Sequence, residues 1–369
     1  MRAVAAFPDE KKLRLIDHPA PEIEAPTEVL LRMLEVGVCG TDREIARFDY
    51  GTPPAGSPYL VIGHESLAEV LEVGAGVSDV KPGDLVVTMV RRPCGRADCP
   101  ACASGRQDFC LTGEFTERGI KGRHGFMTER VVDDQRYLNV VPPSLREVAV
   151  LTEPLTIAEK ALLQVWDVQD RLPWIAKGGR EDLARGHKAV VLGAGPVGLL
   201  GCLALLVRGF DTYVYSLEPE GSEKARWVES VGAKYLSSQS CPIADLPSRV
   251  GNIDLFYEAT GAAKVSFLAM EVLGVNGVFI FTGVPGRKAP IEIDADLIMR
   301  NLVLKNQIVY GTVNAGKDAF QAAIADIGEF NRRWPRALRA LITGRYAPDA
   351  FEGLLTGPLQ GIKNVLAFA

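Results

Sequence analysis

The sequence predicts an α/β protein in two parts, an irregular β-rich unit and a doubly wound parallel sheet with helices on its faces. Three observations predict it. Short apolar runs punctuated by Gly and Pro fill the first 150 residues, a texture of short strands and turns. Beyond residue 188 strands alternate with helical segments, the pattern of βαβ units in a parallel sheet. Between the two textures, "KAVVLGAGPVG" joins a strand to a helix through three glycines. A chain of 369 residues accommodates both parts, each with its own core.

Taken in order, "VLLRMLEVGV" (29–38), "LAEVLEVG" (67–74) and "DLVVTMV" (84–90) read as strands, with the turn signal "KPGD" at 81–84. "EPLTIAEKALLQVWDVQDRL" then places Leu155, Ala158, Leu162 and Val165 on one helical face. Strands at "KAVVLG", "DTYVYSL", "NIDLFYEATG" and "GVFIFTGV" follow, with helices after 196 and through "SEKARWVESVGA". A last helix, "AGKDAFQAAIADIGEFNRRW", precedes a C-terminal segment of mixed texture that rejoins the first unit. The domain limits expected are 1–170 with 313–369 for the β-rich part and 171–312 for the parallel sheet.

Net charge is −5 and no long basic run occurs, which argues against a nucleic-acid partner, since that requires clustered Lys and Arg. Residues 189–207 are free of charge over a length that could span a membrane. Their glycines and Pro196 sit where a strand would turn into a helix, so a buried strand–turn–helix is the expectation and no membrane partner is read. Charges at positions 9 to 12 leave no apolar export segment there. The expected location is cytoplasmic, where clustered cysteines hold metal more often than disulfides.

Gly193, Gly195 and Gly198 form G-x-G-x-x-G, with Pro196 and Val197 opening the helix. The first glycine allows the turn, the second lets backbone approach a pyrophosphate, and the third permits close helix–sheet packing. A dinucleotide on a Rossmann unit is the reading; a Gly-rich turn without ligand is the plainer one. At the end of the next strand, Ser216 and Leu217 offer a 2′-phosphate no charge, and Glu218 would repel it while suiting a ribose diol. This favours NAD, with NADP as the alternative because Lys224 and Arg226 lie near in sequence.

Cys94, Cys99, Cys102 and Cys110 are separated by gaps of four, two and seven. Four thiolates suit one tetrahedral zinc and leave no open position, so such a zinc is structural. A redox pair at Cys99 and Cys102 is the rival reading. A second set, Cys39 in "VGVCGTD" with His64 and Glu65 in "VIGHESLAEV", supplies thiolate, imidazole and carboxylate. Taken singly, each has a plainer role: a small buried hydrophobe, a core histidine, a surface charge.

Together these motifs resemble the zinc-dependent medium-chain alcohol dehydrogenases. Cys39-Gly40-x-Asp42, Gly63-His64-Glu65, Lys81-Pro82-Gly83-Asp84, the four-cysteine lobe and the Gly193–Gly198 turn stand in that family's order. "RRPCG", "GRQDFC", "TGEFTERGIKG", "EPLTIAEK" and "YGTVN" are similar to landmarks of its glucose (aldose) 1-dehydrogenase branch. The resemblance implies a GroES-like catalytic domain, a Rossmann coenzyme domain and a homodimer or homotetramer.

The resemblance also implies a catalytic zinc on Cys39, His64, Glu65 and Glu153, with Asp42 orienting His64 and Thr41 carrying the proton. Thr260, Gly261, Gly283 and Val284 would line the nicotinamide. The reaction implied is hydride transfer from a secondary or hemiacetal hydroxyl of an aldose or cyclic polyol, a small-molecule substrate, to NAD(P). Glu117 and Asn314 match polar sugar-contacting positions, whereas Val90, Ile157 and Leu304 are apolar at substrate positions that are polar in sugar-oxidising relatives. A less polar secondary alcohol as substrate, or a non-catalytic dinucleotide binder, are the other readings. The lobe's first gap is wider than the family's usual two, and Ala68 replaces a family glycine.

Overall fold

The computed structural model describes residues 1–173, 184–286, 290–358 and 360–368. Its first strands are β1 (Arg2–Phe7), β2 (Lys12–Asp17) and β3 (Glu28–Gly37), followed by helix α1 (Gly40–Ala46). Next come β4 (Leu60–Val61), β5 (Glu65–Val73), β6 (Leu85–Thr88), β7 (Arg91–Arg92) and α2 (Pro100–Ala103). Then β8 (Thr116–Arg118), β9 (Gly122–Arg123), β10 (Arg130–Asp134) and β11 (Leu138–Val141) lead to the long helix α3 (Thr152–Gln169). The parallel strands are β12 (Lys188–Leu192), β13 (Asp211–Ser216), β14 (Lys234–Ser237), β15 (Leu255–Glu258), β16 (Val278–Phe281) and β17 (Ile308–Gly311). Between them run α4 (Pro196–Val207), α5 (Glu223–Ser230), α6 (Leu246–Val250), α7 (Ala263–Glu271) and α8 (Ala295–Leu304). The chain closes with α9 (Lys317–Arg333), α10 (Pro335–Ala340), β18 (Ile342–Tyr346), α11 (Phe351–Thr356) and β19 (Lys363–Ala367).

Two compact units result. One comprises Met1–Thr156, Asn314–Asn331 and Leu338–Ala369, the other Ile157–Val313 and Arg332–Ala337. The boundary falls inside α3, because its first turn packs with the β-rich unit while the rest belongs with the parallel sheet.

In the first unit a seven-stranded sheet runs β11-β6-β5-β3-β19-β18, with β10 also on β3. β19 pairs antiparallel to β3, Leu366 opposite Val36, and parallel to β18. The C-terminal strand is thus a central member of a sheet begun by residue 28. Leu31, Met33, Leu60, Ile62 and Phe126 fill the core beneath it and are fully buried. In the second unit all six strands are parallel in the order β14-β13-β12-β15-β16-β17, the 3-2-1-4-5-6 order of a dinucleotide-binding fold. Helices on both faces explain why β12, KAVVL, is almost continuously apolar and buried. The uncharged stretch 189–207 resolves into β12, the glycine turn and α4. Among the described residues no helix is long and apolar enough to cross a membrane.

One buried ion cluster holds the first unit's loops together. Asp133, 2 % exposed, accepts from Arg92 and from Arg118 Nε at 3.2 Å. Arg92 Nη1 also donates to Met89 O at 2.7 Å, and Arg118 Nη1 to His124 O at 3.1 Å. Burial alone would raise the Asp133 pKa, but Arg118 and Arg92 outweigh it and hold the carboxyl below its ordinary value. Removing the carboxylate strands two buried guanidinium groups. Asp133→Ala is therefore expected to cost about 3–5 kcal/mol in urea unfolding. The sign of the pH dependence follows. With a depressed folded pKa, the stabilisation is complete above the unfolded value of about 4 and fades as pH falls through the lower folded one. The wild-type protein should lose this increment on acidification below about pH 4, and the variant should not.

Candidate active site

Cys39 is the N-cap of α1, and Asp42 stands at the third position of that helix. A carboxylate there reaches back to the capping residue's own N–H: Asp42 Oδ2 accepts from Cys39 N at 2.8 Å. Its other oxygen lies 3.2 Å from His64 Nδ1, close but not aligned as a hydrogen bond. Asp42 is fully buried, so one carboxylate fixes the cysteine and faces the histidine. His64 is delivered by Gly63, at φ +92°, where a Cβ would lie 2.5 Å from Met127 Cγ and 2.9 Å from Val36 Cγ1. Glu65 opens β5 opposite Gly37, whose absent Cβ would fall 2.0 Å from Glu65 Oε2.

Cys39 Sγ, a His64 nitrogen and a Glu65 oxygen all lie within 4.8 Å of one another. Glu153, on the first turn of α3, stands outside that set but within its electrostatic reach. Burial first, then the charges of Glu65 and Asp42, push the Glu153 carboxyl up to about 7 against the pull of His64 and Lys363. For His64 burial opposes protonation, yet Asp42 and Cys39 outweigh it and raise its pKa well above the ordinary value. Sulfur, nitrogen and oxygen donors crowd a buried space with orphaned polar atoms on Asp42 and His64. That donor set fits zinc. Thr41 lies in the first turn of α1, part-buried.

Glu65 has a partner that sequence reasoning missed. Lys363 Nζ donates to both its oxygens, at 2.7 and 2.6 Å, and to Val38 O at 3.2 Å. Lys363 is 2 % exposed; its pKa, lowered by burial, is raised overall by Glu65 and Cys39. A lysine opening the strand KNVLA was the sequence signal.

The Sγ atoms of Cys94, Cys99, Cys102 and Cys110 also lie within 4.8 Å of one another, and none is in a disulfide. The wide first gap therefore leaves Cys94 among the four. Asp98 turns away to pair with Arg96 at 2.7 Å.

In the second unit the three glycines have distinct reasons. Gly193 adopts φ +104°, Gly195 would bring a Cβ into open space, and Gly198's Cβ would lie 2.1 Å from Gly193 O. Pro196 and Val197 start α4 and are part-exposed. Leu217 is 74 % exposed beyond β13, and Ser216 Oγ donates to Glu218 Oε2 at 2.6 Å. Glu258, also missed, ends β15 and is buried. Thr260 N, Thr260 Oγ1 and Gly261 N donate to its Oε1 at 2.6, 2.6 and 2.8 Å, and Gly283 N to its Oε2 at 3.1 Å. The two segments meet backbone to backbone: a Cβ on Gly283 would lie 2.2 Å from Gly261 N, and one on Gly261 2.9 Å from Val284 O. An acid closing the buried run "LFYE" was the sequence signal.

Among the substrate candidates, Glu117 and Asn314 are joined by a hydrogen bond of 3.0 Å in the first unit. Val90 is 3 % exposed and packs in that unit's core, Ile157 lies one turn after Glu153 on α3, and Leu304 ends α8, 66 % exposed.

A β-rich unit carrying two metal-competent sets, in one chain with a 3-2-1-4-5-6 sheet and its glycine turn, defines a medium-chain dehydrogenase. Residues 25–143 match the alcohol dehydrogenase GroES-like domain, and residues 146–368 match the glucose dehydrogenase C-terminus. The glucose 1-dehydrogenase of Thermoproteus tenax is 40 % identical over 99 % of each chain, and that of Methanocella arvoryzae is 38 % identical over 98 % of each. The structure of Haloferax mediterranei glucose dehydrogenase in complex with NADP, Zn and gluconolactone superposes with a TM-score of 0.88 at 32 % identity, over 100 % of this chain and 99 % of that one. The chain belongs to the glucose dehydrogenase family and is an NAD(P)-dependent dehydrogenase.

The glycine geometry separates two variants. Gly198→Ala should lower stability by about 1–3 kcal/mol, since rigid backbone opposes the new methyl. Gly195→Ala should leave stability within about 0.5 kcal/mol and weaken dinucleotide binding. Thermal unfolding and dinucleotide titration read the two effects separately.

Proposed function

We propose that this protein oxidises the hemiacetal hydroxyl of an aldose, with NAD as preferred hydride acceptor and zinc at Cys39, His64, Glu65 and Glu153. The observation that carries it is the donor set around His64, in one unit with a buried carboxylate, Glu117, suited to a hydroxylated substrate. When bound, zinc supplies Lewis acidity to a substrate hydroxyl and NAD supplies the hydride acceptor. The chain's own residues do the rest. Asp42 holds the Cys39 backbone and faces His64, Thr41 relays the departing proton by accepting it at its hydroxyl oxygen while passing its own hydrogen outward to water, and Glu117 and Asn314 bind sugar hydroxyls. The second set, Cys94, Cys99, Cys102 and Cys110, holds a structural zinc. Val90 packs in the core, which accounts for its apolar character and weakens the case for a less polar substrate.

The preference for NAD rests on the end of β13. Lys224 donates to Glu218 Oε1 and Arg226 Nη1 to Gly221 O, so each nearby cation is already engaged. Burial works against the Glu218 charge, but Lys224 and Ser216 lower its pKa overall and keep it a carboxylate. A 2′-phosphate would meet that charge; a ribose diol would be accepted by it. The NADP-bound Haloferax relative shows that the family admits the other cofactor. We also assign the protein to the cytoplasm, where clustered cysteines hold metal more often than disulfides, and to a homodimer or homotetramer. Exposed Met299, Val303 and Leu304 on α8, next in sequence to the edge strand β17, suit a second copy.

The test is nucleotide reduction with NAD and NADP against aldoses, deoxy sugars, polyols and simple secondary alcohols. Aldose turnover that disappears in Cys39→Ser, and falls about 10–100-fold in Asp42→Asn, is expected. Reaction of secondary alcohols alone would overturn the sugar reading. Glu218→Ala should raise NADP use relative to NAD by about tenfold or more.

A further inference from the structure

We propose that Arg91 is a positioning residue for substrate recognition: it pins one oxygen of Glu117 so that the other is presented to a sugar hydroxyl. The proposal rests on the aldose reading, in which Glu117 meets substrate. Arg91 and Glu117 face each other across the β7–β8 pair. Both are buried, at 6 and 5 % exposure. Arg91 Nε and Nη2 each lie 3.0 Å from Glu117 Oε1, and Asn314 Nδ2 donates to the same atom at 3.0 Å. Two hydrogen bonds, from Arg91 Nε and Asn314 Nδ2, and the ion-pair contact of Arg91 Nη2 occupy that oxygen. Among the described residues none reaches Oε2, which is not sealed from solvent.

A carboxylate oxygen without a donor keeps its lone pairs for a ligand hydroxyl, and the bond it makes is charge-assisted. Fixing Oε1 from three directions fixes where Oε2 points. Arg91 is itself anchored on its far side. Its Nη1 donates to Asp108 O at 3.3 Å, and its guanidinium lies 3.7 Å from the Phe115 ring centroid. Asp108 is held in turn by Arg106 at 3.0 and 2.9 Å, and Arg106 reaches Asp318 at 3.2 Å. Arg91 precedes Cys94 by three residues and Asp108 precedes Cys110 by two. Both ends of the four-cysteine loop therefore converge on the residue that aims Glu117. Asn314, the third donor, is held in the left-handed region at φ +59° with its Oδ1 accepting from Ala315 N at 2.9 Å. A lysine at 91 would keep the charge but not the forked geometry.

The experiment is steady-state kinetics of the zinc-loaded enzyme with glucose and NAD. It is paired with gluconolactone titration of the NADH complex by fluorescence, thermal unfolding and zinc content. Arg91→Lys and Arg91→Met are expected to raise the glucose KM and weaken lactone binding by about tenfold or more. The KM for NAD, kcat and zinc content should stay near wild type, and the melting temperature should stay near wild type in Arg91→Lys but fall in Arg91→Met, which leaves the buried Glu117 carboxylate short of its charge partner. The double variant R91M/E117Q should be little worse than E117Q alone, because both residues act through one contact. Additive losses, an unchanged glucose KM in both Arg91 variants, or a loss confined to Arg91→Met while Arg91→Lys keeps the wild-type KM would overturn the proposal. Glu117→Gln separates the two claims. If it leaves the glucose KM unchanged, the substrate reading of Glu117 fails. If it raises KM while the Arg91 variants do not, that reading stands and the positioning role fails.

Discussion

A buried ion pair between Glu65 and Lys363 joins the beginning of the β-rich unit to the end of the chain. Glu65 occupies a position where a side chain on Gly37 could not coexist with it, and its two oxygens lie within 3 Å of one ammonium group. An isolated carboxylate at that depth would cost several kcal/mol. The lysine that offsets this arrives on β19, which must insert between β3 and β18 for the pair to form. The metal-competent set around Cys39 and His64 therefore exists in its described form only once the C-terminal strand is home.

The same economy recurs elsewhere in the molecule. Asp42 serves the Cys39 backbone with one oxygen and faces His64 with the other. Glu258 collects the N–H groups of two loops that glycine alone allows to touch. Glu117 is saturated on one oxygen and open on the other. In each case a buried carboxylate sets the direction of a functional segment, because an acceptor out of water must find donors and so selects the backbone that supplies them.

Much of this was legible beforehand. The 3.6-residue spacing of Leu155, Ala158, Leu162 and Val165 predicted a buried face on α3, and all four are buried. The glycine pattern predicted the strand–turn–helix at residue 193 because each glycine answers a local steric demand that sequence spacing records. Cys39, His64 and Glu65 were found by residue type and motif, and they lie together. Lys363, Arg91 and Glu258 were not found. Lys363 and Arg91 depend on partners some three hundred residues away or across a strand pair, which no local pattern encodes, while Glu258 gathers Thr260 and Gly261 beside it and becomes a joint only when Gly283, 25 residues on, folds against it. Val90, at a position the family resemblance matches to substrate, is 3 % exposed and packs in the core of the first unit.

By itself the sequence determined the elements, the glycine turn and the chemical kinds of ligand, because strand alternation, helical period and backbone sterics are local. The tertiary structure decided which charges neutralise which. Electrostatic pairing inside a protein is set by distance and burial, and only the folded chain brings Lys363 to Glu65, Arg91 to Glu117 and Lys224 to Glu218.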